Sequence, residues 1–150
     1  MDFSYRLTGK GWAEARIADD DSWAILTASY LSDALGDLLE AIGVLLEGAP
    51  EARCSWEEEP GEYRWIFRRS GHDVHLTVLA FPDQLARQPD EQGRLVFRTI
   101  QPLRVIALVI ADGAAAVLNE YDEDRYNEEW VEAPFPAARL AMVRQRLAAL

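Results

Sequence analysis

The sequence predicts a single α+β domain in which an antiparallel sheet of about six or seven strands has helices packed on one face. Three observations predict this class. Segments with alternating apolar and polar residues dominate residues 2–28 and 52–98, as half-buried strands require. Segments with apolar residues at 3.6-residue spacing follow each group of strands. Residues 1–150 have the length of one domain, and no internal repeat divides them.

The first three strands are predicted at residues 2–8, 12–18 and 23–28. Residues 9–11, Gly-Lys-Gly, read as the turn between the first two. Three aspartates at 19–21 form the second turn. They lack the spaced oxygen ligands and the distal glutamate of a calcium loop, so the sequence favours a solvated turn over a metal site.

Residues 29–47 form the clearest predicted helix, because leucine and isoleucine recur along one face and acidic residues along the other. Ser29 or Ser32 is expected to cap its first turn. Ser29, Gly36 and Gly43 lie seven residues apart, and this ridge of small residues is predicted to let the helix approach a sheet closely.

Strands at 52–58, 62–69 and 73–81 are predicted next, joined by turns at Pro60-Gly61 and Gly71-His72. A turn centred between residues 60 and 61 pairs Trp56 with Trp65 and Cys54 with Phe67. A turn centred between residues 71 and 72 makes three further pairs on the same face: Phe67 with Leu76, Trp65 with Val78, and Tyr63 with Ala80. That face is continuously apolar and is predicted to face the core.

The remaining chain is predicted to contain a polar connector at 82–93, one strand near 95–98, and helices at 102–121 and 137–150. The predicted element order is therefore βββα ββββ αα. The outer face of the second group of strands is left open to solvent or to a ligand.

The composition excludes several classes of protein. Hydrophobic residues make up 49% of the chain, which excludes a disordered acidic tail. One cysteine cannot form an internal disulfide, so a disulfide-stapled secreted scaffold is also excluded. The net charge of -11 argues against nucleic acid as a partner. The chain shows no signal peptide and no apolar stretch of membrane-spanning length, so we expect a cytoplasmic protein without a membrane partner.

Two acidic regions are candidate surfaces for a basic protein partner, because carboxylates steer such a partner and aromatic rings supply buried area. Residues 112–132 contain eight carboxylates and one arginine, with aromatic residues between them. The predicted hairpin tip near Pro60 contains four more carboxylates. The candidate partner-binding residues are Glu57, Glu58, Glu59, Glu62, Tyr121, Asp122, Asp124, Tyr126, Glu128 and Trp130. The alternative is a solvated helix end whose aromatic residues pack inward.

The open sheet face carries a second candidate site, for an anion. Arg53, Arg64, Arg68 and His75 are predicted to share that face. The alternative for His75 is a solvated imidazole. Cys54 is predicted on the opposite, apolar face, where a buried thiol is unreactive.

No GxGxxG, GxSxG, CxxC or HExxH motif occurs, which lowers the expectation of a nucleotide-dependent enzyme, a serine hydrolase or a zinc enzyme. We therefore expect no catalytic residues, no cofactor and no metal. The leading hypothesis is a non-catalytic interaction protein. The rival hypothesis is a domain or enzyme that binds a small anion on the arginine-bearing face.

The segment ASYLSDALGDLLEAIGVLLEG, followed by ARCSWEEEPGEYRWIFRR, resembles a group of small bacterial proteins to which no activity is attached, so no catalytic residue is carried over. The resemblance extends over most of the chain, including the APFP segment. In size and acidity the chain also resembles immunity proteins that neutralise secreted toxins. That second resemblance implies an immunity- or antitoxin-like function, performed by binding.

Overall fold

The computed structural model describes residues 1–150 as seven strands and four helices. The strands are β1 (Asp2–Gly9), β2 (Trp12–Ala18), β3 (Trp23–Ser29), β4 (Glu51–Glu57), β5 (Glu62–Ser70), β6 (Asp73–Phe81) and β7 (Arg94–Pro102). The helices are α1 (Ala34–Leu46), α2 (Leu103–Glu120), α3 (Glu123–Trp130) and α4 (Ala137–Ala148). No helix is both long enough and apolar enough to cross a membrane.

The predicted α+β class and the order of the strands are confirmed, but the strands form two antiparallel sheets where one was predicted. One sheet has the order β1-β2-β3 and the other β4-β5-β6-β7. The chain passes through α1 between them, and β3 contacts β4 and β7 without forming a ladder with either. Periodicity identifies a strand and its buried face, but it does not show which strands pair across an intervening helix.

The predicted register of the β4–β5 hairpin is wrong by two residues. Trp56 pairs with Tyr63, and Cys54 pairs with Trp65. The turn is centred one peptide earlier than predicted, and the backbone N–H of Glu58 donates to the carbonyl of Gly61 at 2.8 Å. A shift of two residues keeps every side chain on its predicted face. The predicted pairing between β5 and β6 is confirmed at all three positions.

The core lies where the apolar faces of both sheets meet the helices. Its centre is aromatic: the rings of Trp56 and Trp65 are 4.9 Å apart, and Trp65 also contacts Phe67 and Phe3. Tyr5 packs edge-on against Trp56 at 5.9 Å. These contacts join β1 of the first sheet to β4 and β5 of the second, so the two sheets share one core.

Helix α1 begins at Ala34, five residues later than predicted, because β3 extends through Ser29 and residues 30–33 form a turn before the helix. The predicted caps, Ser29 and Ser32, are wrong: Asp33 caps the helix by accepting a hydrogen bond from the backbone N–H of Gly36 at 3.2 Å. The ridge of small residues does not face a sheet. A Cβ added at Gly43 would lie 3.0 Å from Met142 Cε, so this side of α1 packs on α4.

The polar connector at 82–93 folds back over part of the outer face of β5 and β6, which was predicted to be open. Ile66, Leu79 and Phe81 form a small second apolar cluster there. The guanidinium of Arg64 lies 4.1 Å from the centre of the Phe81 ring. This end of the sheet face is therefore covered by the chain itself.

Candidate functional site

Helix α3 carries the acidic segment and is attached to the core by two aromatic residues at i and i+4 spacing. Tyr126 and Trp130 are fully buried, and Tyr126 packs edge-on against Phe135 at 5.3 Å. Asp122 begins the helix by accepting a hydrogen bond from the backbone N–H of Arg125 at 2.8 Å. The helix is held on one side, so its other side presents carboxylates outward.

The expectation that Tyr126 and Trp130 lie on the binding surface is corrected, because both have no exposed area. Burial raises the pKa of the Tyr126 phenol above its ordinary value of 10.0. Tyr121 is half-buried, and its hydroxyl donates to the carbonyl of Leu7 at 3.3 Å. The guanidinium of Arg125 lies 4.8 Å from the Tyr121 ring centre. The aromatic residues therefore support the helix from beneath.

We call the outward-facing carboxylates of this region the α3 acidic surface. Its members are Glu120, Asp122, Glu123, Asp124, Glu128 and Glu132, all exposed, and the half-buried Glu129. None of them forms an ion pair within 4.0 Å. The carboxylates that do form ion pairs are Glu14, Asp33, Asp37, Glu40, Glu47, Glu51, Glu62 and Asp90. Every arginine that forms an ion pair therefore contacts a carboxylate outside this surface, and the seven carboxylates of the surface have no ion-pair partner.

The hairpin tip is less available than its four glutamates imply. Glu58 accepts hydrogen bonds from the hydroxyls of Thr27 and Tyr63. Glu62 accepts from the Ser55 hydroxyl and pairs with Arg64 at 3.1 Å. Two glutamates of the tip are therefore engaged inside the molecule. Of the other two, Glu59 is exposed and Glu57 is half-buried.

The arginine cluster on the outer sheet face holds a carboxylate from the chain itself. Both nitrogens of the Arg53 fork contact the Asp90 carboxylate, at 3.1 and 2.6 Å, and Arg64 reaches the same group at 2.7 Å. Hydrogen bonds from Arg53 and then Arg64 lower the pKa of Asp90 to about 2. An external anion at Arg53 and Arg64 would have to displace Asp90. The predicted anion site is therefore partly occupied by the connector.

The other two members of the predicted anion site lie beside this cluster. Arg68 and His75 are directly opposite each other across β5 and β6, and both are exposed. Arg68 lies 3.5 Å from the carboxylate of Glu51. Cys54 is on the opposite face of the sheet from His75, as predicted, and burial raises the pKa of its thiol.

Replacing Asp90 with asparagine is expected to lower the free energy of unfolding by about 1 kcal/mol at pH 7, because two guanidinium groups lose a shared carboxylate. The pKa of Asp90 is depressed on folding, so its contribution is present above the unfolded value of 3.8 and is lost as the pH falls toward 2. Urea unfolding of wild type and Asp90→Asn at pH 6 and pH 3 measures this difference. A difference that does not shrink at pH 3 would contradict the assignment.

A groove between α1 and β4 is a feature that the sequence did not reveal. It has a volume of about 660 Å³. Its lining is Leu31, Ser32, Asp33, Asp37, Glu40, Ala41, Val44, Ala52, Arg53, Cys54, Ser55 and Glu57. These residues come from the start and one face of α1 and from β4, so the packing of α1 against β4 brings them together.

The turn at Asp19–Asp21 is an ordinary aspartate-stabilised turn. One Asp19 carboxylate oxygen accepts hydrogen bonds from the backbone N–H groups of Asp21 and Ser22, both at 2.9 Å. These bonds lower the pKa of Asp19.

Comparisons with known proteins give one distant structural likeness. No family model matches the chain, and no curated protein matches it. A chain from a solved CdiA-CT/CdiI toxin and immunity complex from Enterobacter cloacae is 12% identical, with a TM-score of 0.48. The alignment covers 78% of this chain and 99% of that one. This likeness is too distant to assign a shared fold or a shared function, and the function of this chain is argued from its own residues.

Proposed function

We propose that this chain is a non-catalytic protein that binds a basic protein partner through the α3 acidic surface. The observation that carries the proposal is the density of unpaired carboxylates on this surface. Seven lie within residues 120–132 and none forms an ion pair, whereas arginine pairs with eight of the other 19 carboxylates of the chain. Uncompensated charge raises the rate at which an oppositely charged partner arrives and selects against acidic ones.

Helix α3 is suited to this role because its position does not depend on the partner. Tyr126 and Trp130 anchor it in the core, and the backbone N–H of Gly11 donates to the carbonyl of Glu129. A partner therefore meets carboxylates that are already in place, which reduces the entropy lost on binding. A role of this kind, in which binding itself neutralises the partner, is that of an immunity or antitoxin protein.

Reversing two charges on this surface tests the proposal. In an extract of the native host, the wild-type chain is expected to capture a stoichiometric basic protein. The double variant Asp124→Lys/Glu128→Lys is expected to bind the purified partner at least about tenfold more weakly at low salt, with a smaller salt dependence. Titration calorimetry at two salt concentrations measures both effects.

The matched control is Asp20→Lys/Asp21→Lys, which changes the net charge equally at an exposed turn. It should retain affinity to within about twofold, because surface charges far from the contact are screened. Equal weakening by the two double variants would show that net charge alone matters and would overturn the assignment to α3. Recovery of no stoichiometric partner, with a metabolite copurifying instead, would reject the interaction function.

A further inference from the structure

Strand β4 is an edge of its sheet, and alternate residues direct their backbone groups away from its only neighbour, β5. The N–H of Arg69 donates to the carbonyl of Pro50, and the N–H of Glu58 donates to the carbonyl of Gly61. Even-numbered residues of β4 therefore make the ladder with β5, since bonded and non-bonded pairs alternate in an antiparallel ladder. Odd-numbered residues direct their N–H and C=O outward.

The outward-directed edge is nearly unoccupied. The N–H of Glu57 reaches the Ser32 hydroxyl at 3.4 Å, which closes one end. The backbone groups of Arg53 and Ser55 have no partner on that side. An exposed strand edge of this kind is a template for pairing with another extended chain.

The groove between α1 and β4 lies along this edge and combines apolar area with carboxylates. Its apolar lining includes Leu31 and Val44, and Leu31 is 45% exposed. On the α1 side, Asp33, Asp37 and Glu40 follow one another along the helix. An extended segment lying in the groove would have β4 on one flank and these carboxylates on the other.

Four carboxylates line the groove against one cation, Arg53, whose guanidinium is already paired with Glu51 and Asp90. Arg139 of α4 is the shared cation of the three carboxylates on the α1 side, at 3.3 Å from Asp33, 3.7 Å from Asp37 and 3.5 Å from Glu40. Burial raises the pKa of Asp33, and burial together with the Asp33 charge raises that of Asp37. Additional cations in the groove would therefore be bound favourably.

We infer that the groove between α1 and β4 is a second docking site, which takes an extended basic segment of a protein partner as an additional strand on β4. Its free backbone groups at Arg53 and Ser55 supply main-chain hydrogen bonds, and the α1 carboxylates select the side chains. Side chains alternate along a strand, so every second residue of the segment faces α1. Lysine or arginine at those alternate positions is the expected pattern.

A synthetic peptide tests this mode of binding directly. The probe is an acetylated, amidated decapeptide in which lysine and threonine alternate, and the control peptide has the same composition in two blocks. The alternating peptide is expected to bind at least about tenfold more tightly than the block peptide, as measured by calorimetry. It is also expected to slow amide hydrogen exchange at Arg53 and Ser55 at least about tenfold, measured by NMR. Equal affinity for the two peptides, or binding without slowed exchange, would overturn the proposal.

Substitutions in the groove separate strand pairing from charge. Ser55→Pro removes one outward N–H, and Ser55→Ala is its matched control because both lose the hydroxyl. The proline variant is expected to bind the alternating peptide at least about tenfold more weakly than the alanine variant. Should the proline variant not fold, Asp37→Asn/Glu40→Gln tests the charge and is expected to weaken binding to a similar extent. Unchanged affinity in the variant that folds would contradict the inference.

This inference does not depend on the α3 acidic surface, because the peptide assay involves no residue of α3. Failure of the peptide to bind would leave the proposed function of α3 standing. Conversely, if Asp124→Lys/Glu128→Lys bound the purified partner as tightly as wild type, the inference about the groove would still stand.

Discussion

Replacing Trp65 with alanine is expected to lower the free energy of unfolding by about 3–5 kcal/mol, the range for removing a buried aromatic side chain. Trp65 is completely buried where the two sheets meet. Its ring lies 4.9 Å from Trp56, 6.3 Å from Phe67 and 6.4 Å from Phe3. These neighbours belong to three strands, so the resulting cavity cannot collapse without moving the sheets apart.

Urea unfolding followed by circular dichroism measures this loss, and Trp23→Ala is the matched control. Trp23 is 63% exposed on the outer face of β3, so its removal is expected to change the free energy of unfolding by less than about 1 kcal/mol. Similar losses for the two variants would contradict the position of Trp65 at the centre of the core.

Replacing Gly113 with alanine is expected to lower the free energy of unfolding by about 1–3 kcal/mol, although alanine is intrinsically better in a helix by about 1 kcal/mol. Gly113 lies where α2 crosses β1. A Cβ there would be 2.6 Å from Phe3 Cδ1 and 3.0 Å from the Phe3 carbonyl oxygen. A buried ring and a strand backbone cannot both move aside without disturbing the core.

The matched control is Gly43→Ala, which makes the same change in α1. Its Cβ would lie 3.0 Å from Met142 Cε and 3.2 Å from an Arg146 guanidinium nitrogen. Both are the ends of flexible side chains, so we expect a change between zero and a gain of about 1 kcal/mol. Thermal unfolding of both variants tests the contrast, and a Gly113→Ala protein as stable as wild type would show that α2 does not approach β1 this closely.

Much of the fold could be predicted from the sequence because strand faces and helix faces are local properties. Phe3, Tyr5 and Leu7 are buried as their alternation predicts, and the β5–β6 register is the predicted one. The β4–β5 register could not be predicted, because it depends on the four-residue turn at Glu58–Gly61. The number of sheets also could not be predicted, since it depends on contacts between strands distant in the chain.

The candidate sites could be predicted less well. The acidic character of residues 120–132 is visible in the sequence. The same pattern, however, is compatible with aromatic residues that face the solvent and with aromatic residues that face the core. Only packing shows that Tyr126 and Trp130 point inward and leave the carboxylates outside. Likewise, the arginines of the outer sheet face are apparent in the sequence, whereas their partner Asp90 lies 37 and 26 residues away from Arg53 and Arg64.

The sequence by itself determined the α+β class, the order of the strands, the faces that β1, β4, β5 and β6 bury and the excess of negative charge. These follow from spacing and composition, which act over a few residues. The tertiary structure alone decided which carboxylates are neutralised, which face of the sheet is covered and that β4 borders an acidic groove. Those features depend on side chains and backbone groups brought together from distant segments, and local periodicity carries no information about such pairings.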